Sequence, residues 1–152
     1  NKPTDMTMNV LLERIDLSIK VTPDSPEAMP LLFKRPVMFG GPVQIERGFV
    51  LHSDLDDFSS TLKVTDQIGL TTSKDILEAV AEGDGPQRVF VTLGCAGWSA
   101  GQLENEIRQN GWLTVKADPS IIFGLPVEER FDAALALLGI DPMMLSADSG
   151  RA

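Results

Sequence analysis

The run RVFVTLGCAGWSAGQLENEIRQNGW, from Arg88 to Trp112, constrains the fold of this chain more than any other stretch. Val89, Phe90, Val91 and Leu93 make a nearly continuous apolar segment of strand length, which predicts a buried strand. Gly94-Cys95-Ala96-Gly97 then leaves little side chain above the backbone, so it predicts an elbow that another group can approach closely. Ser99 and Gln102 have capping-box spacing and predict a helix from about Ala100. Leu103 and Ile107 give that helix an apolar stripe, and Gly111 after Asn110 supplies its stop. A strand that passes through a glycine turn into a helix N-terminus is a frequent seat for ligands and equally a plain corner.

The flanking sequence supplies the other elements. Thr4 or Asp5 can cap a helix from about Met6 to Ile15, with Val10, Leu11 and Ile15 inward. Leu17 to Arg35 carries Pro23, Pro26 and Pro30 and reads as a loop. Pro36 to Phe39 reads as a strand, Gly40-Gly41-Pro42 as a sharp turn, and Arg47 to His52 as a second, buried strand. Leu62 and Val64 alternate with Lys63 and Thr65, which predicts a half-exposed antiparallel strand returning through Asp66-Gln67 along Ile68 to Thr71. Thr72 and Asp75 have capping-box spacing ahead of a helix to Ala81, with Ile76, Leu77 and Val80 inward and Gly83 to Pro86 ending it. Trp112 to Val115 alternates as a further strand. Asp118-Pro119 opens a short helical turn, and Leu125-Pro126 opens a helix to about Leu138 (Phe131, Ala134, Leu135, Leu138), stopped by Gly139. Asp141-Pro142 begins a last turn before a polar tail from Ser146. Consecutive strands with unevenly interposed helices predict an α+β fold with a largely antiparallel sheet.

Charge and composition exclude several function classes. A net charge of −9, with 13 scattered basic residues, lacks the footprint of a protein that binds a phosphate backbone directly. Aromatics are 6% and tyrosine is absent, which weakens the case for a base-stacking surface. A single cysteine forms no internal disulfide, and the apolar runs are shorter than the ~18 residues of a membrane span, so the expected compartment is the cytoplasm.

Few residues carry chemistry. Cys95 is the only thiol and His52 the only histidine; in reach of each other they would make a Cys–His nucleophilic pair. The alternative is a small packing cysteine and a hydrogen-bonded histidine at a strand end. Neither glycine cluster matches a nucleotide-binding pattern, so turns are the expected role. No spacing supports a metal site, and Asp54, Asp56 and Asp57 lack the glycine and distal glutamate of a calcium loop. Arg47 is expected either in an ion pair with Glu46 or as a fork for a carboxylate or phosphate. Trp98 is expected in the core.

Three phrases, Pro36-Val-Met-Phe-Gly-Gly-Pro42, Arg47-Gly-Phe-Val-Leu-His52 and Leu93-Gly-Cys-Ala-Gly-Trp-Ser-Ala-Gly-Gln-Leu-Glu104, resemble the AlgH/YqgE family of bacterial proteins. Thr71 to Asp75 and Trp112 to Thr114 agree with it, and the resemblance spans essentially the whole chain, residues 1–152, as one domain. It implies a bifurcated, barrel-like antiparallel sheet with flanking helices, in cytosolic proteins of unestablished biochemical function whose name implies transcriptional regulation. Gly40, Gly41, Pro42, Arg47, Gly48, His52, Gly94, Gly97, Trp98, Gly101 and Glu104 fall on the family pattern; no catalytic residue is carried over. The resemblance also implies tyrosine where this chain has Cys95, which weakens a family-wide thiol chemistry. It implies a further N-terminal segment ahead of Asn1, and a chain lacking it is expected to self-associate through an exposed edge.

The expected function is therefore a non-enzymatic binding or regulatory domain, any transcriptional role being indirect. Its candidate surface comprises Gly40, Gly41, Pro42, Arg47, His52, Gly94, Cys95, Gly97 and Trp98. The partner is a small molecule or a protein, not nucleic acid or membrane, and no cofactor or metal is implied. The alternative is a small hydrolase or transferase using Cys95 and His52.

Overall fold

A computed structural model describes residues 2–20, 28–53 and 58–141. They belong to two compact units, Asn1–Gly97 and Trp98–Ala152. The last turn and polar tail expected from residue 142 onward, and the acidic trio Asp54, Asp56 and Asp57, lie outside the described residues.

The first unit is a six-stranded sheet with helices. In chain order it contains β1 (Lys2–Thr7), α1 (Met8–Arg14), α2 (Ala28–Lys34), β2 (Pro36–Phe39), β3 (Val43–His52), β4 (Thr61–Thr65), β5 (Ile68–Thr71), α3 (Asp75–Glu82) and β6 (Val89–Cys95). The strand order is β1-β2-β6-β3-β5-β4. Every pairing is antiparallel except β2 with β6. The expected α+β class with a largely antiparallel sheet is what the chain adopts; the sheet is open and does not close into a barrel.

One face of this sheet carries the core. Val37, Val50, Val89 and Val91 project toward Leu11 and Leu12 of α1, Leu32 and Phe33 of α2, and Ile76, Leu77 and Val80 of α3. Leu12 and Ile76 are wholly buried, and each such side chain contributes about 1.5–3 kcal/mol over its exposed state. The inward set expected for α3 is the observed one, and Gly83 ends that helix in a left-handed conformation.

Several expectations need correction. The first helix starts at Met8 rather than Met6, and Lys2–Thr7 is a strand. Pro3 concealed it, because proline is compatible with an edge strand but breaks the alternating signal. Its ladder is irregular between Pro3 and Thr7, where the Thr4 hydroxyl donates to Val37 O at 2.7 Å. Residues 28–34, expected as loop, form α2. Pro30 falls in the first turn of that helix, where no intrahelical N–H bond is needed. Leu62 and Val64 are both well exposed, as are Lys63 and Thr65, so β4 is exposed on both faces rather than half-buried.

The decisive feature of the sheet is how β2 reaches β3. These strands flank β6 on opposite sides, β2 parallel to it and β3 antiparallel. Gly40-Gly41-Pro42 must therefore strap across the C-terminal end of β6, spanning two interstrand spacings, about 9.6 Å, in three residues. The strap lies backbone against backbone. A Cβ on Gly40 would stand 2.1 Å from Gly94 O, and one on Gly41 2.3 Å from the Cys95 carbonyl carbon. The Gly40 N–H donates to Leu93 O at 2.8 Å. Gly94 has φ +72, and its Cβ would meet Gly41 O at 2.3 Å.

The second unit holds α4 (Gln102–Arg108), a π-helical turn at Ser120–Gly124, a 3-10 turn at Val127–Glu129 and α5 (Arg130–Leu137). Gln102 Oε1 accepts from the Ser99 N–H at 3.1 Å, so half of the expected capping box forms, although the helix starts two residues later than expected. Its end is a Schellman motif around Asn110 (φ 59), with Gly111 N–H donating to Glu106 O and Asn110 N–H to Ile107 O. The strand expected at Trp112 to Val115 is absent. No strand occurs in this unit among the described residues, so the alternating segment has nothing to pair with. Of the residues expected inward on the last helix, Leu135 is buried and Phe131 is 63% exposed.

Gly94→Ala tests the strap. A side chain there combines a left-handed backbone with a clash against Gly41, and the expected cost is about 2–4 kcal/mol. The check is the urea unfolding midpoint; an unchanged midpoint would show that the strap yields freely.

Candidate functional site

The strap brings together most of the glycine-cluster residues that the sequence singled out. Gly40 and Gly41, ahead of Pro42, lie over Gly94 and Cys95, and a Cβ on Gly97 would stand 3.8 Å from Val43 Cγ2. The close approach expected at the Gly94–Gly97 elbow exists, but the approaching group is the chain's own strap. Gly94 and Cys95 are also the last residues of β6 rather than a turn outside it.

Beyond the strap the ladder is broken. Val43 pairs with Cys95 and Gly48 with Leu93, so Gln44, Ile45, Glu46 and Arg47 all stand opposite the single residue Gly94. The four residues bulge outward, with Gln44 at φ 50. The bulge is exposed: Ile45 keeps 57% of its surface in solvent and Val43 43%. Pro42, Gln44, Ile45, Glu46 and Arg47 line a shallow, open depression.

Arg47 is held in place at this bulge. Its guanidinium donates to Gln44 Oε1 at 3.3 Å and to Thr72 Oγ1 at 3.2 Å, and it lies 5.7 Å from the centroid of the Phe49 ring. The ion pair with Glu46 is not formed. Thr72 shares a hydrogen bond with Ser60 Oγ at 2.8 Å. Next to it, Asp75 accepts from the Ser59 N–H and hydroxyl, the Ser73 hydroxyl and the Ile76 N–H. Thr72 thus does not form the expected capping box; Ser73 and Asp75 bridge the start of α3 to the β4 approach, fixing the backbone on either side of Thr72. The Ser73 hydroxyl above all, then the Ser59 groups and the Ile76 N–H, hold the Asp75 carboxyl down at about 2.

His52 sits elsewhere. It pairs with Val89 at the start of β6, whereas Cys95 ends that seven-residue strand, so the two are about 20 Å apart along the sheet. The structure does not bring the Cys–His pair together. His52 is wholly buried on the core face. Ser53 O, 3.1 Å from Nδ1, can only accept, so Nδ1 carries a proton. In the neutral ring the Thr71 hydroxyl, 2.9 Å away, then donates to Nε2 and accepts from Thr61 Oγ1 at 2.7 Å. Neither nitrogen is left open to a substrate. The ring crosses over Gly69, where a Cβ would stand 2.7 Å from His52 Cε1, and it meets Phe58 edge-on. Sequence reasoning missed Gly69 and Thr71 as partners of His52; a glycine inside a strand pattern was the available signal.

Trp98 belongs to the second unit and is not a core residue, contrary to expectation: it is 39% exposed. Its indole packs edge-on against Trp112 and donates to Glu106 Oε2 at 3.2 Å. Among the described residues no group of three or more His, Cys, Asp or Glu is placed to hold a metal ion. No helix of the described residues is long and apolar enough to cross a membrane.

Asp75 gives the site a pH signature. Its carboxyl is depressed from 3.8 to about 2 in the folded state, so its stabilising contribution is complete above the unfolded value and is lost as pH falls through the folded one. Asp75→Asn is therefore expected to unfold with a shallower dependence on pH between about 4 and 2 than the parent chain. Superimposable acid-unfolding curves, after correction for their offset, would contradict the network.

Comparison with known proteins places this arrangement in a family. The model of the AlgH-like family matches residues 1–143. The UPF0301 protein of Bordetella avium is 56% identical over 152 residues, covering all of this chain and 73% of its own length. The UPF0301 protein of Ralstonia nicotianae is 57% identical, again over the whole chain and 76% of its own length. The solution structure of the AlgH protein from Pseudomonas aeruginosa is similar with a TM-score of 0.71 at 42% identity, covering all of this chain and 76% of that one.

Proposed function

The chain belongs to the AlgH-like family, and from that premise we propose that it is a cytosolic binding or regulatory domain rather than an enzyme. Its ligand surface is the Gln44–Arg47 bulge with the Gly40–Pro42 strap and Cys95 beneath it. The observation that carries this reading is the exposed Arg47 guanidinium, anchored by Gln44, Thr72 and Phe49 above a shallow depression to which Pro42 and Ile45 contribute apolar surface. An anchored guanidinium has lost part of its conformational freedom before a ligand arrives and presents a fork suited to a carboxylate or phosphate. Exposed Val43 and Ile45 beside it add apolar contact. The ligand class is thus an acidic group on a small molecule or on a partner protein with an apolar portion.

The net charge of −9 favours an indirect part in any transcriptional regulation, through a protein or metabolite rather than through DNA. The burial of His52 and its separation from Cys95 along β6 support the binding reading over cysteine-dependent hydrolysis or transfer.

The test is a titration with inorganic phosphate and with succinate, followed by amide chemical shifts. Saturable shifts confined to Gln44 to Gly48 and Thr72 are expected, and Arg47→Gln should weaken them about tenfold or more. Shifts scattered over the surface, or unchanged in Arg47→Gln, would contradict the reading.

A further inference from the structure

The second unit presents an aromatic corner with no part in the reading above. Trp98 and Trp112 meet edge to face, with ring centroids 5.9 Å apart and planes at 71°. Both indole N–H groups donate to the same oxygen, Glu106 Oε2, at 3.2 and 2.7 Å. An indole N–H lies in its ring plane, so both planes run close to that oxygen and the rings splay from the carboxylate as two walls. Gln102 Nε2 donates to the other oxygen, Oε1, at 2.9 Å. Gln102 is itself anchored by the N–H and hydroxyl of Ser99.

Three properties single this corner out. First, it is preformed: three side-chain donors hold the carboxylate, and the carboxylate holds both rings, so little ordering remains for a ligand to bring about. Second, it is open, because Trp98 and Trp112 keep 39% and 49% of their surface in solvent. Third, its charge is not neutralised: no lysine or arginine forms an ion pair with Glu106 among the described residues. The bonds from Trp112, Gln102 and Trp98 also hold its carboxyl below the ordinary glutamate value, so it is anionic at neutral pH.

We propose that the Trp98–Trp112–Glu106 corner binds an organic ammonium group. Indole faces attract cations through the ring quadrupole within ~6 Å of the centroid, and quaternary or methylated ammonium ions are the species whose weak hydration best suits such walls. A cation set against the solvent-facing indole surface lies close to the Glu106 carboxylate, to which both ring N–H groups point. Two sources share this chemistry, a free ammonium metabolite and a lysine or methyl-lysine side chain of a partner protein.

Trp98 and Trp112 are the chain's 2 tryptophans, so its indole fluorescence reports this corner alone. The experiment titrates the 152-residue chain with tetramethylammonium chloride, against sodium chloride at equal ionic strength and against tert-butanol as a neutral group of similar shape. A saturable emission change with tetramethylammonium, at least about fivefold tighter than with tert-butanol, is expected. Glu106→Gln, its fold checked by circular dichroism, should weaken that binding by a similar factor, and Trp112→Phe should weaken it further than it weakens tert-butanol. Choline and a trimethyl-lysine peptide then separate the sources: tighter choline binding assigns the corner to a metabolite, tighter peptide binding to a partner side chain. Equal response to tetramethylammonium and tert-butanol, or no response beyond that of sodium chloride, overturns the proposal even if the variants fail to fold.

Discussion

The crossing of Gly40-Gly41-Pro42 over the end of β6 is the constraint from which the first unit follows. Because β2 and β3 lie on opposite sides of β6, the chain has to cross that strand. It does so in three residues, with no room for side chains between the two backbones. Glycine at 40, 41 and 94 is what makes so close a crossing possible. The single parallel pairing, β2 with β6, and the central position of β6 depend on the same crossing.

The candidate site is a consequence of that crossing. A strap drawn tightly over β6 enters β3 at Val43, opposite Cys95, and four residues must then be accommodated against Gly94 before regular pairing resumes at Gly48. They leave the ladder and carry Arg47 into solvent. The far end of the same strand pair is different in kind. There the pleat turns His52 inward, Gly69 makes room for its ring, and Thr71 and Thr61 satisfy it. One sheet thus has a bonded, closed end and an open, bulged end, and the fixed spacing along β6 keeps Cys95 and His52 apart.

What was legible in the sequence is what local pattern encodes. α3 follows from apolar spacing ahead of a left-handed glycine, and the β4–β5 hairpin from two short runs around Asp66-Gln67. β2 and most of β3 were legible for the same reason. β1 and α2 were not, since Pro3 and Pro30 sit at the few positions within a strand or helix where proline is tolerated. The β2–β6 pairing was beyond reach because it joins segments far apart in sequence, and without it the two glycine clusters read as separate turns. Trp98 misled through size alone: a large aromatic is ordinarily buried, but here its N–H and that of Trp112 are committed to a surface carboxylate. Arg47 was recognised as a candidate fork, while its anchors Gln44 and Thr72 became visible only when the bulge and the start of α3 were brought side by side.

The most direct test of this account is residue-resolved amide hydrogen exchange in the native state. If the strap fixes the centre of the sheet, the Gly40 amide, bonded to Leu93 O, exchanges only through global unfolding, at the rate of the amides shared between Leu51 and Phe90. The amides of the Gln44–Arg47 bulge exchange orders of magnitude faster. A Gly40 amide that exchanges as fast as the bulge would contradict the account, because the crossing would then open while the rest of the sheet stays closed.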